Sequence, residues 1–253
     1  MKRYQNFTFS TWNPTIGCHK VSAGCTNCYA EVMAKRLQSL GNEIYKDGFK
    51  FKMLPSRLTE PLKAKRPTIF FVNSMSDLFH ENMSFEFLDE ILTVISQTPH
   101  HQYQILTKRP HRMRAYFLTR HIPKNVWLGT TVESSFVKDR IDLIRDLNAS
   151  VKWLSCEPLI NDLGELNLSG IDWVVAGGES GAKARAMKKQ WALNLKSECD
   201  RQGVAFYFKQ WGAWGEDGIK RDKKANGAVL GGKIYKNYPK FSPQQAKERS
   251  LFD

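Results

Sequence analysis

No apolar run in these 253 residues approaches the roughly 20 that a membrane-spanning helix needs, which argues against an ordinary helical span. The opening Met1-Lys2-Arg3-Tyr4-Gln5-Asn6 has none of the apolar core of a secretory leader, so the sequence predicts a soluble, cytoplasmic protein with no membrane partner. Internal repeats and low-complexity tracts are missing too, and charged residues stay at 25%, which excludes wholesale disorder. Negative charge is scarce: 25 acidic side chains face 38 Lys and Arg, a net charge of +13. That imbalance favours a polyanionic partner, nucleic acid first among them, over a merely solvated basic surface. Cysteines are few and odd in number, five in all, which argues against a disulfide framework. Three of them, Cys18, Cys25 and Cys28, fall within eleven residues, while Cys156 and Cys199 stand alone. In a reducing compartment such clustering points to metal.

What is present is a regular alternation. Short runs rich in β-branched and aromatic residues occur at 7–12, 68–73, 102–107, 126–131, 152–156, 172–176 and 204–208. Helical periodicity occupies 30–40, 84–97, 109–119, 135–147 and 190–202. Phe87, Leu88, Ile91, Leu92 and Ile95 form one apolar stripe behind a capping Ser84. Strand alternating with helix predicts an α/β fold: a full or partial parallel (β/α) barrel of six or seven units, or else an open doubly wound sheet. The chain reads as a single domain over 1–253, with a core at about 7–214, an irregular excursion at 41–65 and a peripheral extension at 215–253.

In either architecture the C-terminal strand ends build the site, and polar residues follow nearly every run. The candidates are Ser74, Ser76, Asp77 and His80; Lys108; Thr131 and Glu133; Glu157; Gly177, Gly178 and Glu179; and Lys209, Gln210 and Trp211. Taken singly, Asp77 can be a helix cap and Gly177-Gly178 a turn; their joint place on one rim favours function.

The cysteines read Cys-x6-Cys-x2-Cys on a loop between the first strand and the first helix. Three thiolates can hold three irons of a 4Fe–4S cluster and leave the fourth open, as chelation of S-adenosylmethionine requires. Zinc with His19 as a fourth ligand, and three reduced thiols without metal, are the competing readings.

The segment Gly17 to Glu31, with Phe71 to His80, Glu157-Pro158-Leu159, Gly177 to Gly181 and Phe208 to Gly212, resembles the three-cysteine-motif family common in bacteriophages. That family is similar to a divergent branch of the radical S-adenosylmethionine enzymes, near the spore photoproduct lyase group. The first cysteine gap is six here instead of the usual three. Asn27 stands where an aromatic is usual, and Gly-Gly-Glu comes late at 177–179. The resemblance implies that Cys18, Cys25 and Cys28 ligate the cluster. Ser74, Ser76 and Asp77 would meet the S-adenosylmethionine amino group, Lys108 its carboxylate, Thr131 and Glu133 the ribose, and Gly177, Gly178 and Glu179 the adenine. Lys209, Glu157 and Tyr29 would face the substrate, with Tyr29 or Trp211 stacking on a base and Glu157 alternatively holding Lys108.

The expected function is reductive cleavage of S-adenosylmethionine and hydrogen abstraction from a DNA or RNA base. It would be served by an electron donor such as flavodoxin or ferredoxin and by a genomically linked partner protein. Two alternatives are a metal-stabilised nucleic-acid-binding module without catalysis, and a hydrolase built on Asp77, His80 and Glu157 with a divalent metal.

Overall fold

A computed structural model describes residues 7–240. The N-terminal hexapeptide, read above as lacking a leader core, and residues 241–253 of the expected extension lie outside the described residues. Seven strands join in chain order into one all-parallel sheet. They are β1 (Thr8–Trp12), β2 (Thr68–Val72), β3 (Gln102–Thr107), β4 (Val126–Thr131), β5 (Val151–Cys156), β6 (Trp173–Gly177) and β7 (Ala205–Gln210). The sheet curls into a half-barrel, with β1 and β7 as its two edges. Helices α1 (Tyr29–Ser39), α2 (Phe85–Gln97), α3 (Pro110–Phe117), α4 (Asp142–Arg145) and α5 (Lys189–Arg201) fill five of the six crossovers, and the β5–β6 connection has no helix.

Alternate strand residues face two different cores, and this separates the two architectures. Phe70, Val72, Tyr103, Ile105, Leu128, Leu154, Val174 and Phe206 pack against helix residues such as Leu88, Ile91, Met113 and Leu195. The opposite face carries Trp127, Val151, Trp153, Trp173 and Val175, with Phe71, Leu106 and Tyr207 against them and no helix residue among them. Helices therefore cover one face only, which is the partial barrel and not the doubly wound sheet. Strands buried on both sides carry nearly continuous apolar runs, which is why the sequence pattern locates them. Gly129 shapes the concave face: a Cβ there would lie 2.4 Å from the Trp153 ring, so bare backbone lets that indole lie against β4.

The Ser84 cap forms as expected, its hydroxyl accepting from Phe87 N at 3.2 Å. The expected helix over 135–147 does not. Residues Ser135–Ile141 form tight 3-10 turns broken at Val137 (φ −127°), and α4 is a single turn. Arg140 is pulled inward to Glu133 and the Thr131 carbonyl, and that tie bends the segment. The described part of the extension beyond 214 is stitched to the β6–β7 edge of the sheet. Trp211 Nε1 donates to the Val229 carbonyl at 2.6 Å, Phe208 N to the Tyr235 carbonyl at 2.9 Å, and Tyr238 stacks on Trp173. Among the described residues, no helix is long and apolar enough to cross a membrane.

Candidate functional site

The loop that follows β1 carries all three clustered cysteines. Cys18 precedes a 3-10 turn at Ala23–Cys25, and Cys28 is the N-cap of α1. All three are free and partly exposed, while Cys156 and Cys199 are buried. Among the described residues, the one set of three or more His, Cys, Asp and Glu ligand atoms mutually within 4.8 Å is His19, His80 and Glu81. The three sulfurs therefore do not converge as ligands of one zinc must, with sulfurs about 3.8 Å apart for Zn–S bonds of about 2.3 Å. Three thiolates on three different irons of one cluster stand further apart than ligands of a single ion.

The loop arcs across the C-terminal strand ends and is gripped at successive points. After β2, Asn73 adopts φ 59° and donates to Thr15 Oγ1 at 2.7 Å. Ser76 Oγ donates to the Gly17 carbonyl at 2.6 Å, and Gly17 N to the Met75 carbonyl at 3.0 Å. Gly17 is required here: its φ is 76°, and a Cβ would sit 2.1 Å from the Lys50 carbonyl oxygen. After β4, Glu133 Oε1 accepts from Ser22 Oγ and from Gly24 N, the latter at 3.2 Å, while Oε2 accepts from Arg140 at 3.0 Å. After β6, Glu179 Oε2 accepts from Asn27 Nδ2 at 3.0 Å, and Arg185 Nη2 donates to Oε1 at 2.6 Å. The arc closes where the Tyr29 hydroxyl donates to the Ser74 carbonyl.

Burial opposes ionisation of both glutamates. Ser22, Lys108 and Arg140 outweigh it at Glu133, and Arg185 and Asn27 at Glu179, so both stay below the usual carboxylate range.

Several residues expected to contact a cofactor are engaged by protein partners in this arrangement. Asp77 meets four protein donors: Thr107 Oγ1 at 2.6 Å, Phe79 N at 2.9 Å, Lys108 N at 3.1 Å and Arg109 Nη1 at 3.2 Å. A carboxylate offers about four lone-pair positions, so Asp77 is committed to the scaffold and not to an incoming amino group. Glu133, fully buried and occupied, holds the cysteine loop where a ribose contact was expected. Glu179 does the same through Asn27. The Ser74 hydroxyl donates to Asn13 Oδ1 at 3.1 Å.

Gly178 leaves room for this chain's own backbone, since a Cβ there would meet the Trp211 carbonyl oxygen at 1.8 Å. Gly177 lies under Glu157, whose carboxylate would be 3.3 Å from a Cβ. Lys108 extends its ammonium to Thr131 Oγ1 at 3.4 Å. Glu157, at a cis Glu157–Pro158 peptide, pairs with Lys209 at 2.9 Å and accepts from Gln210 Nε2 at 3.0 Å; it does not hold Lys108. Trp211 is a core residue, which removes it from stacking, whereas Tyr29 is 61% exposed at the mouth.

Arg109 is the residue that sequence reading missed. It is 3% exposed, and its guanidinium donates to Asp77 and, at 3.5 Å, to Cys18 Sγ; Nη2 donates to the His19 carbonyl at 3.3 Å. Its signal in the sequence is a Thr-Lys-Arg-Pro strand end that reads equally well as a solvated basic corner. Burial and then the Asp77 charge push the Cys18 thiol up to about 11, with Arg109 pulling the other way. Beside it, His80 is buried, stacks on Phe51 and lies 3.2 Å from His19 Nδ1. The grouping of Asp77, His80 and Glu157 as a divalent-metal site does not form, because Asp77 is saturated and Glu157 belongs to Lys209 and Gln210.

A family model described as Protein of unknown function (DUF5131) matches residues 4–239, and the chain belongs to that family. Comparison with curated proteins returns no match. Among solved structures the chain is similar to spore photoproduct lyase, in a cysteine-to-alanine mutant with dinucleoside spore photoproduct and in a second complex with the same ligand. Identity is 11% in both, with TM-scores of 0.40 and 0.39. The likeness takes in 74% of this chain and 59% of those chains.

Proposed function

We propose that this family member is an iron–sulfur enzyme of the radical S-adenosylmethionine type that acts on nucleic acid. The observation that carries the reading is the cysteine loop itself. Three free thiols lie over the C-terminal ends of a parallel half-barrel and are held there by buried charged side chains from three strand ends. A zinc finger needs no such frame. Cys18, Cys25 and Cys28 would hold three irons of a 4Fe–4S cluster, and the fourth iron would take S-adenosylmethionine. When bound, the pair supplies electron transfer and a hydrogen-abstracting radical.

The chain's own contribution is positional. Glu133 and Glu179 fix the loop, Asp77 fixes the end of β3, and Lys108 and Thr131 are the groups beneath the loop that can bind a carboxylate or hydroxyl. Tyr29, Glu157 and Lys209 line the side of the mouth where an extruded base can stack and be hydrogen-bonded. The net charge of +13 suits a phosphate backbone and a small acidic electron donor alike.

A second reading, a metal-stabilised nucleic-acid-binding protein without catalysis, is favoured by one observation. Asp77, Glu133 and Glu179 are already satisfied by protein donors, which leaves fewer free groups for a cofactor. Anaerobic purification, iron and sulfide analysis, and electron paramagnetic resonance of the reduced protein separate the two. The enzyme reading expects about four irons per chain and a spectrum altered by S-adenosylmethionine. A cluster blind to the cofactor supports the binding protein, and zinc in place of iron sinks the enzyme reading.

A further inference from the structure

The three thiols of the loop are not equivalent. Arg109 is the one side chain among the described residues that donates to a sulfur of the loop, and it does so at Cys18. Its position is over-determined. It is the N-cap residue of α3, with Pro110 at the first helical position. Its backbone N–H donates to Thr107 Oγ1 at 2.8 Å, and that same hydroxyl donates to Asp77. The guanidinium is then fixed between Asp77 Oδ2, Cys18 Sγ and the His19 carbonyl, with Glu81 Oε2 at 3.9 Å. Both Arg109 and Asp77 are nearly excluded from water, so their charges are poorly screened.

We propose that Arg109, opposed by Asp77, sets the reduction potential of the cluster through the Cys18 sulfur. The inference rests on the iron–sulfur reading above. A fixed cation and an N–H···S bond both stabilise the state carrying the extra electron, because hydrogen bonds to sulfur and local charge are the levers a protein has on such a potential. Asp77, a fixed anion at one remove, works against the added electron. The pair therefore acts as a bias of two opposed signs on one corner of the cluster. Arg109 is a positioning and tuning residue and is not a catalytic one.

The test is a redox titration of anaerobically reconstituted protein, followed by electron paramagnetic resonance without S-adenosylmethionine. Wild type is compared with Arg109→Gln, Arg109→Lys and Asp77→Asn. Arg109→Gln is expected to move the midpoint negative by about tenfold in the reduction equilibrium, or about 59 mV for a one-electron couple. Arg109→Lys keeps the charge without the fixed fork and falls between. Asp77→Asn moves the midpoint positive. Opposite signs are the signature, since a merely structural pair would shift both variants the same way or only lower the iron content. An Arg109→Gln protein with full iron and the wild-type midpoint overturns the proposal, as do shifts of equal sign. Should Arg109→Gln fail to fold, Arg109→Lys and Asp77→Asn carry the same comparison. A wild-type protein that takes up no reducible cluster defeats the reading beneath, and is recognised as such before any variant is measured.

Discussion

Glu133 shows how one side chain can look like a ligand contact and be a clamp. It stands on the strand-end rim, bears a charge and follows a Thr-Thr pair, all features of a residue facing a cofactor. Its oxygens instead bind Ser22 and Gly24 on one side and Arg140 on the other. Removing it leaves Arg140 buried without its partner, at a cost of about 3–5 kcal/mol for a broken buried pair. Glu133→Ala should therefore lower the melting temperature by about 6–20 °C at this chain length. It should also reduce iron retention more than Glu133→Gln, which keeps an acceptor for the loop. Thermal melts and iron analysis on the same samples read this out; an unchanged melting temperature would remove Glu133 from the clamp. A sequence cannot show this, because a carboxylate accepting from a cofactor and one accepting from backbone 109 residues away are the same letter.

At the level of elements, the inner strands were legible because burial on both faces writes itself as largely apolar runs, and α2 because its stripe and Ser84 cap agree. The segment after β4 was not: its apolar spacing suits a helix, but the inward pull of Arg140 overrides the local preference. The clustering of the three cysteines was legible from their spacing, and their place above the strand ends followed from the fold. The anchors of their loop were hidden, since each is a long-range hydrogen bond. The concave face offers a separate check. Gly129→Ala puts a methyl group into the Trp153 indole, so the ring must leave the strand, at about 1–3 kcal/mol for an overpacked core. A shifted tryptophan emission spectrum together with a lowered melting temperature is the expected result. An unaltered emission would mean that the indole does not depend on that bare backbone.

For the molecule as a whole, the excess of 38 basic over 25 acidic side chains would make the proposed association with nucleic acid an electrolyte-sensitive event. Binding of a fluorescent single-stranded oligonucleotide should weaken steeply and log-linearly with added salt, with a slope of about 0.7 per phosphate contacted. A salt-independent affinity, or none at low salt, would point to a small-molecule substrate instead.

The anchors of the cysteine loop also bear on how the protein is made. The thiols are synthesised before their anchors: Ser76 follows the loop residue it binds by 59 positions, and Glu133 and Glu179 follow theirs by 109 and 152. At synthesis rates of about 5–20 residues per second, the nascent chain carries this loop without its last anchor for about 8–30 s. Until then the three thiols stand on a partly held loop; afterwards they stand on a finished socket.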